Sequence, residues 1–177
     1  VASSGANMYA AVAAGVNALS GPKHGDANQA VLEMLQFIRD SGMTTKEFVR
    51  KVKDKESAIK LMGFGHRIYK NYDPRAAIIK KHTDRIMELH TGREDLLEIA
   101  KELEETALSD DYFKERKLYP NVDFYTGLIY EAMGFPMNMF TVLFTLGRLP
   151  GWIAQYREQV ATGGNTVSYP HLRAHTT

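Results

Sequence analysis

The chain of 177 residues contains no cysteine. Disulfides, thiolate nucleophiles and zinc-cysteine sites are excluded together, and a reducing compartment is compatible with that. No apolar run approaches the roughly 18 to 20 residues that span a bilayer, and no basic segment leads into an apolar core at the start. The sequence therefore reads as soluble and cytoplasmic, with no membrane partner. Charge of one sign is not in excess either: 22 Lys and Arg face 21 Asp and Glu, for a formal +1. That leaves no electrostatic footprint for nucleic acid, so an anionic ligand has to be held by locally placed cations. Period-2 alternation over several residues and internal repeats are both absent.

What is present is ordinary globular composition, 44% hydrophobic and 24% charged, in a length suited to one domain or two small ones. The apolar spacing is helical throughout, and the fold class expected is all-α. An alanine-rich helix runs from Ala6 to Leu19, without a convincing cap, and stops at Gly21-Pro22. Asp26 or Asn28 can cap a second helix with Val31, Leu35 and Ile38 on one face, ended by Gly42. Thr44-Thr-Lys-Glu47 has capping-box spacing ahead of the Phe48 and Val52 pair. Lys53 to Glu56 reads as a solvated connection. Asp73-Pro74 starts a helix with Ile79, Ile86 and Leu89 expected on its buried side. Leu96, Ala100, Leu103 and Ala107 mark an amphipathic helix closed by Ser109-Asp-Asp111. After the irregular Leu118 to Asp123 comes a helix through Leu128, Ile129 and Met133 to Gly134. Asn138 to Val160 is apolar nearly all round in its first half, which predicts deep burial, with Gly147 and Pro150 kinking or dividing it near Arg148. From Gly163 onward neither period nor caps are found, and disorder is expected.

The densest chemistry lies in Met62-Gly-Phe-Gly-His-Arg-Ile-Tyr-Lys-Asn-Tyr-Asp-Pro-Arg75. Glycines let a backbone pass close to a ligand, and the lysine and arginines supply donors for anions around one titratable group, His66. The competing reading is a tight interhelical loop with a solvated basic face. His24, His66, Asp123 and Arg148 all sit at helix breaks, where functional groups concentrate. His24 precedes a helix N-terminus, whose dipole favours a neutral ring able to donate to an electrophilic carbonyl; a histidine satisfying a turn backbone is the alternative. Asp123 before a helix is first of all an N-cap. Arg148 interrupts an apolar run, and a buried guanidinium needs an anionic partner, either a substrate carboxylate or a structural Asp or Glu. Metal binding by His24 with Asp26 lacks a third ligand, so no metal is expected. His82 and His90 read as solvated helix positions. Gly63-Phe-Gly65 lacks the third glycine and the preceding strand of a dinucleotide fingerprint.

Taken together, Gly21-Pro-Lys-His-Gly-Asp-Ala-Asn28, Gly63 to Arg75, and Pro120-Asn-Val-Asp-Phe-Tyr-Thr-Gly127 resemble three signature segments of the citrate synthase family. Met139-Phe-Thr-Val, Gly147-Arg148 and Gly151-Trp-Ile-Ala154 resemble a fourth. The resemblance runs in order from residue 1 to about residue 160. It implies a multi-helical enzyme whose large and small domains close over oxaloacetate and then acetyl-CoA. Residues 1–25 and 135–162 would belong to the large domain, 26–134 to a nearly complete small domain, and 163–177 to neither. By position, His24 would hydrogen-bond the thioester carbonyl as it becomes an enol or enolate, and Asp123 would remove the methyl proton. His66 would bind and polarise the oxaloacetate carbonyl, and Arg75 and Arg148 would clamp its carboxylates. Gly63, Lys70 and Asn121 fall where the family contacts coenzyme A, a co-substrate thioester rather than a permanently bound cofactor.

These roles are chemically coherent. A carboxylate of pKa about 3.9 is too weak to deprotonate a thioester methyl unaided, so the developing oxyanion must be stabilised, at roughly 3 kcal/mol per donor. Paired arginines suit a dicarboxylate because their planar forks bind bidentately and keep their charge. The family's upstream oxaloacetate-binding histidine and its arginine reaching a neighbouring subunit have no counterpart in these residues. The reading is therefore a partial citrate synthase of the tricarboxylic acid cycle, an acyltransferase working as a homodimer or higher homo-oligomer when full-length. The 177-residue piece alone should be poorly active. Its rivals are 2-methylcitrate synthase, which uses propionyl-CoA, and a non-catalytic helical interaction module.

Overall fold

The computed structural model describes residues 1–21, 25–89 and 94–163. Residues 164–177 of the tail expected to be disordered, and also His24 and His90, lie outside the described residues. Among those described there are helices, turns and a single isolated antiparallel bridge, Phe64 with Pro120, but no strand. The all-α expectation holds.

Two compact units form, one from Asp26–Phe140 and one from Val1–Gly25 together with the chain from Thr141 onward. The first contains α2 (Ala27–Ser41), α3 (Thr45–Lys53), α4 (Pro74–Leu89), α5 (Glu94–Ser109), the short α6 (Asp111–Glu115) and α7 (Asp123–Ala132). Its core arises where the apolar stripes of α2, α5 and α7 meet, with α4 laid on α7 and α3 on α5. Val31, Leu35 and Ile38 of α2 and Leu96, Ala100, Leu103 and Ala107 of α5 are all buried, as their spacing predicts. Each fully buried Leu or Ile contributes about 1.5–3 kcal/mol. The capping box is formed: Thr44 Oγ1 accepts from Glu47 N at 3.2 Å and Glu47 Oε2 accepts from Thr44 N at 3.0 Å.

The buried face of α4 differs from expectation. Ala76, Thr83 and Met87 are buried, Ile79 and Ile86 only partly, and Leu89 is exposed. The stripe includes a threonine whose hydroxyl is satisfied by donating to Ile79 O at 2.9 Å, so apolarity alone finds the flank of the buried face at Ile79 and Ile86 but misses its centre. The sequence reading also passes over α6, too short to show a period and started by Asp110, whose side chain accepts from Tyr112 N.

The second unit contains α1 (Met8–Leu19) and the body of α8 (Phe140–Thr162). Contrary to expectation α1 has a cap, Asn7, whose Oδ1 accepts from Ala10 N at 2.9 Å. The small residues of α1 do permit close approach: a Cβ on Gly15 would lie 3.1 Å from the Trp152 ring of α8. Near the same contact Tyr156 Oη donates to Ala6 O at 3.2 Å. Of the kink or division expected near Arg148, division does not occur: α8 is one uninterrupted helix with Pro150 inside it, where the proline removes one ladder bond. Contrary to expectation α8 is not deeply buried, since Val142 and Leu146 are exposed and only Phe140 is fully covered. A helix apolar all round needs neighbours on every side, and within its unit α8 meets α1 where Trp152 lies against Gly15.

Candidate functional site

The site is built where two irregular segments of the Asp26–Phe140 unit pair with each other. Gly65 N donates to Tyr119 O at 2.8 Å and Asn121 N donates to Gly63 O at 2.9 Å, joining 63–65 to 119–121 as a short antiparallel ladder. Only glycine fits this crossing. Gly63 has φ +77°, and a Cβ there would meet Val31 Cγ2 at 2.7 Å and Phe124 Cα at 3.0 Å. Asn121 fastens the crossing with both ends of its amide, Nδ2 donating to Gly65 O and Oδ1 accepting from Asp123 N, each at 3.0 Å.

The Asn121 bond revises the first reading of Asp123. The N-cap of α7 is Val122, which makes no side-chain cap bond, and Asp123 is the first helical residue, its N–H held by Asn121 Oδ1. Its partly buried carboxylate stands at the positive end of the helix, with its charge felt by Arg75 and Tyr130. Burial and then that charge push the Tyr130 phenol upward.

Upstream, the 66–75 loop folds around His66. Nδ1 accepts from both Ile68 N and Tyr69 N at 3.1 Å, and the ring stacks on Tyr69 with centroids 4.7 Å apart. A neutral imidazole that accepts at Nδ1 carries its proton on Nε2. Arg75 Nη2 lies 3.3 Å from that Nε2. With that tautomer both nitrogens are donors, so neither satisfies the other and an oxygen acceptor reaching both would relieve their close approach.

Arg75 is held from behind by Asp73, whose carboxylate is 1% exposed. Asp73 Oδ1 accepts from Arg75 N at 2.9 Å and Arg75 Nε at 3.1 Å, and Oδ2 accepts from Arg75 Nη2 at 2.9 Å. Among the described residues the carboxylate contacts of the guanidinium are made by Nε and Nη2, not by Nη1. Oδ2 also accepts from Val122 N at 3.2 Å, tying the loop to the start of α7. Burial pushes the Asp73 carboxyl up, but the hydrogen bonds from Arg75 and Val122 outweigh it and hold the group below the usual carboxylate range. In return, the hydrogen bond to Asp73 raises the Arg75 guanidinium.

The structure thus brings Gly63, His66, Arg75, Asn121 and Asp123 to one end of the unit. Lys70 stands at the loop's exposed rim, its Nζ donating to His66 O at 3.3 Å. Arg148 belongs to the other unit, where it is half-buried on α8 with its guanidinium 4.9 Å from the Phe144 ring. Among the described residues it has no ion-pair partner, so the structural-carboxylate alternative is not realised there.

Sequence reasoning missed Glu104. It sits within the charged run of α5 yet is 2% exposed, accepting from Tyr72 Oη at 2.7 Å, from Tyr125 Oη and from Lys80 Nζ. Burial and then the bonds to Glu104 push both phenols well above their ordinary value, which keeps them as donors. Glutamates at neighbouring positions hid it; only the helical phase of residue 104, next to Leu103 and three before Ala107, could have marked it.

The all-helical unit thus gathers His66 and Arg75 on a glycine-bearing loop beside the helix-start carboxylate of Asp123. Residues 1–170 match the family profile described as citrate synthase, C-terminal domain, a span that takes in residues 163–170. The chain is 65% identical over 170 residues to citrate synthase 1 of Mycobacterium tuberculosis and 63% identical over 171 to the citrate synthase of Corynebacterium glutamicum. Each match covers 96% of this chain, which spans 39% of the length of those relatives. Among solved structures, a Pyrobaculum aerophilum citrate synthase aligns with TM-score 0.84 at 39% identity, covering 95% of this chain and 41% of that one. The Thermoplasma acidophilum enzyme, determined as a ternary complex with carboxymethyl coenzyme A and oxaloacetate, aligns at 0.81 with 35% identity, covering 94% and 43%. A citryl-CoA lyase of Hydrogenobacter thermophilus aligns at 0.69 with 28% identity, covering 94% and 62%. The chain belongs to the citrate synthase family.

Proposed function

We propose that this chain carries the catalytic segments of a citrate synthase, which joins acetyl-CoA to oxaloacetate and hydrolyses the citryl thioester to citrate and CoA. The observation that carries the reading is the convergence of His66 Nε2 and Arg75 Nη2, 3.3 Å apart, beside the α7 start that bears Asp123. In this scheme Asp123 takes a proton from the acetyl methyl while His24 donates to the thioester oxygen. The resulting enol carbon attacks the oxaloacetate carbonyl, whose oxygen His66 polarises through Nε2–H. Arg75 and Arg148 hold the two carboxylates. Water then cleaves citryl-CoA, releasing the thiol.

Gly63, Lys70 and Asn121 are assigned to coenzyme A. For Asn121 the contact falls to its surroundings or to the backbone, because its side-chain amide is already bonded at both ends. Residues 26–134 form the small domain and 1–25 with 135–162 part of the large one, closing over the substrates. The full-length protein works as a cytoplasmic homodimer or higher homo-oligomer with no permanently bound cofactor.

Identities of 35% and 39% to synthase structures, against 28% to a citryl-CoA lyase, support condensation over cleavage. The lyase likeness keeps retro-cleavage of citryl-CoA as a second reading, run through the same residues in reverse. Thiol release by the full-length protein decides: CoA formed from acetyl-CoA only when oxaloacetate is present supports the synthase, whereas oxaloacetate formed from citryl-CoA without net citrate synthesis supports the lyase. Measuring kcat/KM for propionyl-CoA alongside separates 2-methylcitrate synthase, since one methylene is worth only about 1–3 kcal/mol. A non-catalytic interaction module would show none of these activities.

A further inference from the structure

Behind the site, one carboxylate grips both of its arms. Glu104, 2% exposed on α5, accepts from Tyr72 Oη at 2.7 Å through Oε1 and from Tyr125 Oη through Oε2. Tyr72 adjoins Asp73, the residue that holds Arg75 and bonds Val122 N. Tyr125 lies two residues after Asp123, on the first turn of α7. Lys80 of α4 donates to the same Oε2, completing the shell around the buried charge.

A tether of this form exceeds what stability of the helix packing needs. An apolar residue on α5 would pack against α4 and α7 as well, and replacing a buried charge by a matched apolar group is often neutral or stabilising. What an apolar group would lose is a fixed register between the 66–75 loop and the α7 start, each ending in a group that must meet the other's substrate. We propose that Glu104 is a positioning residue for the condensation, setting Arg75 through Tyr72 and Asp123 through Tyr125. This rests on the citrate synthase reading given above.

The two arms predict a split in the kinetics of the full-length protein. Tyr72→Phe should raise the KM for oxaloacetate roughly three- to tenfold with kcat changed by less than about twofold. Tyr125→Phe should lower kcat by roughly three- to tenfold and leave that KM within about twofold. Glu104→Gln should do both, and the Glu104→Gln/Tyr72→Phe double variant should raise KM no further than Glu104→Gln does. Lowered melting temperature with both constants within about twofold of wild type would overturn the proposal. If Glu104→Gln does not fold, the two tyrosine variants decide by the same split. A readout independent of turnover is amide hydrogen exchange, which should quicken in 66–75 and 119–125 but not in α3. Uniform quickening overturns the tether, whereas selective quickening in a protein that never releases CoA leaves the tether standing and overturns the activity.

Discussion

Asp73 Oδ2 accepts from Arg75 Nη2 at 2.9 Å and from Val122 N at 3.2 Å, so one buried carboxylate both aims a cation and docks the loop that carries it onto the next helix. Asp73→Asn should cost about 1–3 kcal/mol of unfolding stability, the usual loss when a buried charge-assisted bond loses a partner. Because Arg75 would lose its brace, the KM for oxaloacetate in the full-length protein should rise as well. Urea denaturation and substrate titration of the same sample check the two effects.

The same group sets a pH dependence. The Asp73 carboxyl is held below its unfolded value, so its contribution to stability is present above about pH 4 and fades as pH falls through the lower folded value. Urea midpoints measured from neutral to pH 3 should fall in wild type, and less steeply in Asp73→Asn. Equal slopes in the two proteins would remove Asp73 from the acid sensitivity.

Gly63 and Gly42 both have positive φ, +77° and +63°, but only Gly63 has neighbours within contact distance of an added Cβ. Gly42→Ala should cost only the left-handed backbone term, about 1–2 kcal/mol. Gly63→Ala adds overpacking against Val31 and Phe124, for a total of about 2–5 kcal/mol. Comparing the unfolding free energies of the two variants checks the difference.

The polypeptide 1–177 should release thiol from acetyl-CoA plus oxaloacetate weakly or not at all, and should self-associate through the exposed apolar residues of α1 and α8, among them Tyr9, Val142 and Leu146. Assay against the full-length enzyme with light scattering checks both; a near-native rate from a monomer would contradict this.

Most of the scaffold was legible because the stripes of α2 and α5 repeat cleanly and the box at Thr44 is local. The failures came where a decisive interaction is long-range or a stripe is mixed. Thr83 disguises the buried face of α4, and Pro150 looks like a break in a helix that continues. Motif reading picks out His66, Arg75 and Asp123 as candidates, but not the bonds made around them. Asp73 looked like a cap only, Asn121 like a ligand contact only, and Glu104 like one more surface glutamate. Each gains its meaning from a partner 21 to 56 residues away, beyond the reach of local spacing.

Turnover by Asp123→Asn in the full-length protein reads the central proposal most directly. Since Asp123 is the first helical residue of α7 and not its N-cap, the substitution should cost less than about 1 kcal/mol of stability, the worth of a charge at a helix start. Loss of the general base should lower kcat by roughly 10²- to 10⁴-fold in the condensation of acetyl-CoA with oxaloacetate. A folded Asp123→Asn protein that retains kcat within about threefold of wild type would contradict it.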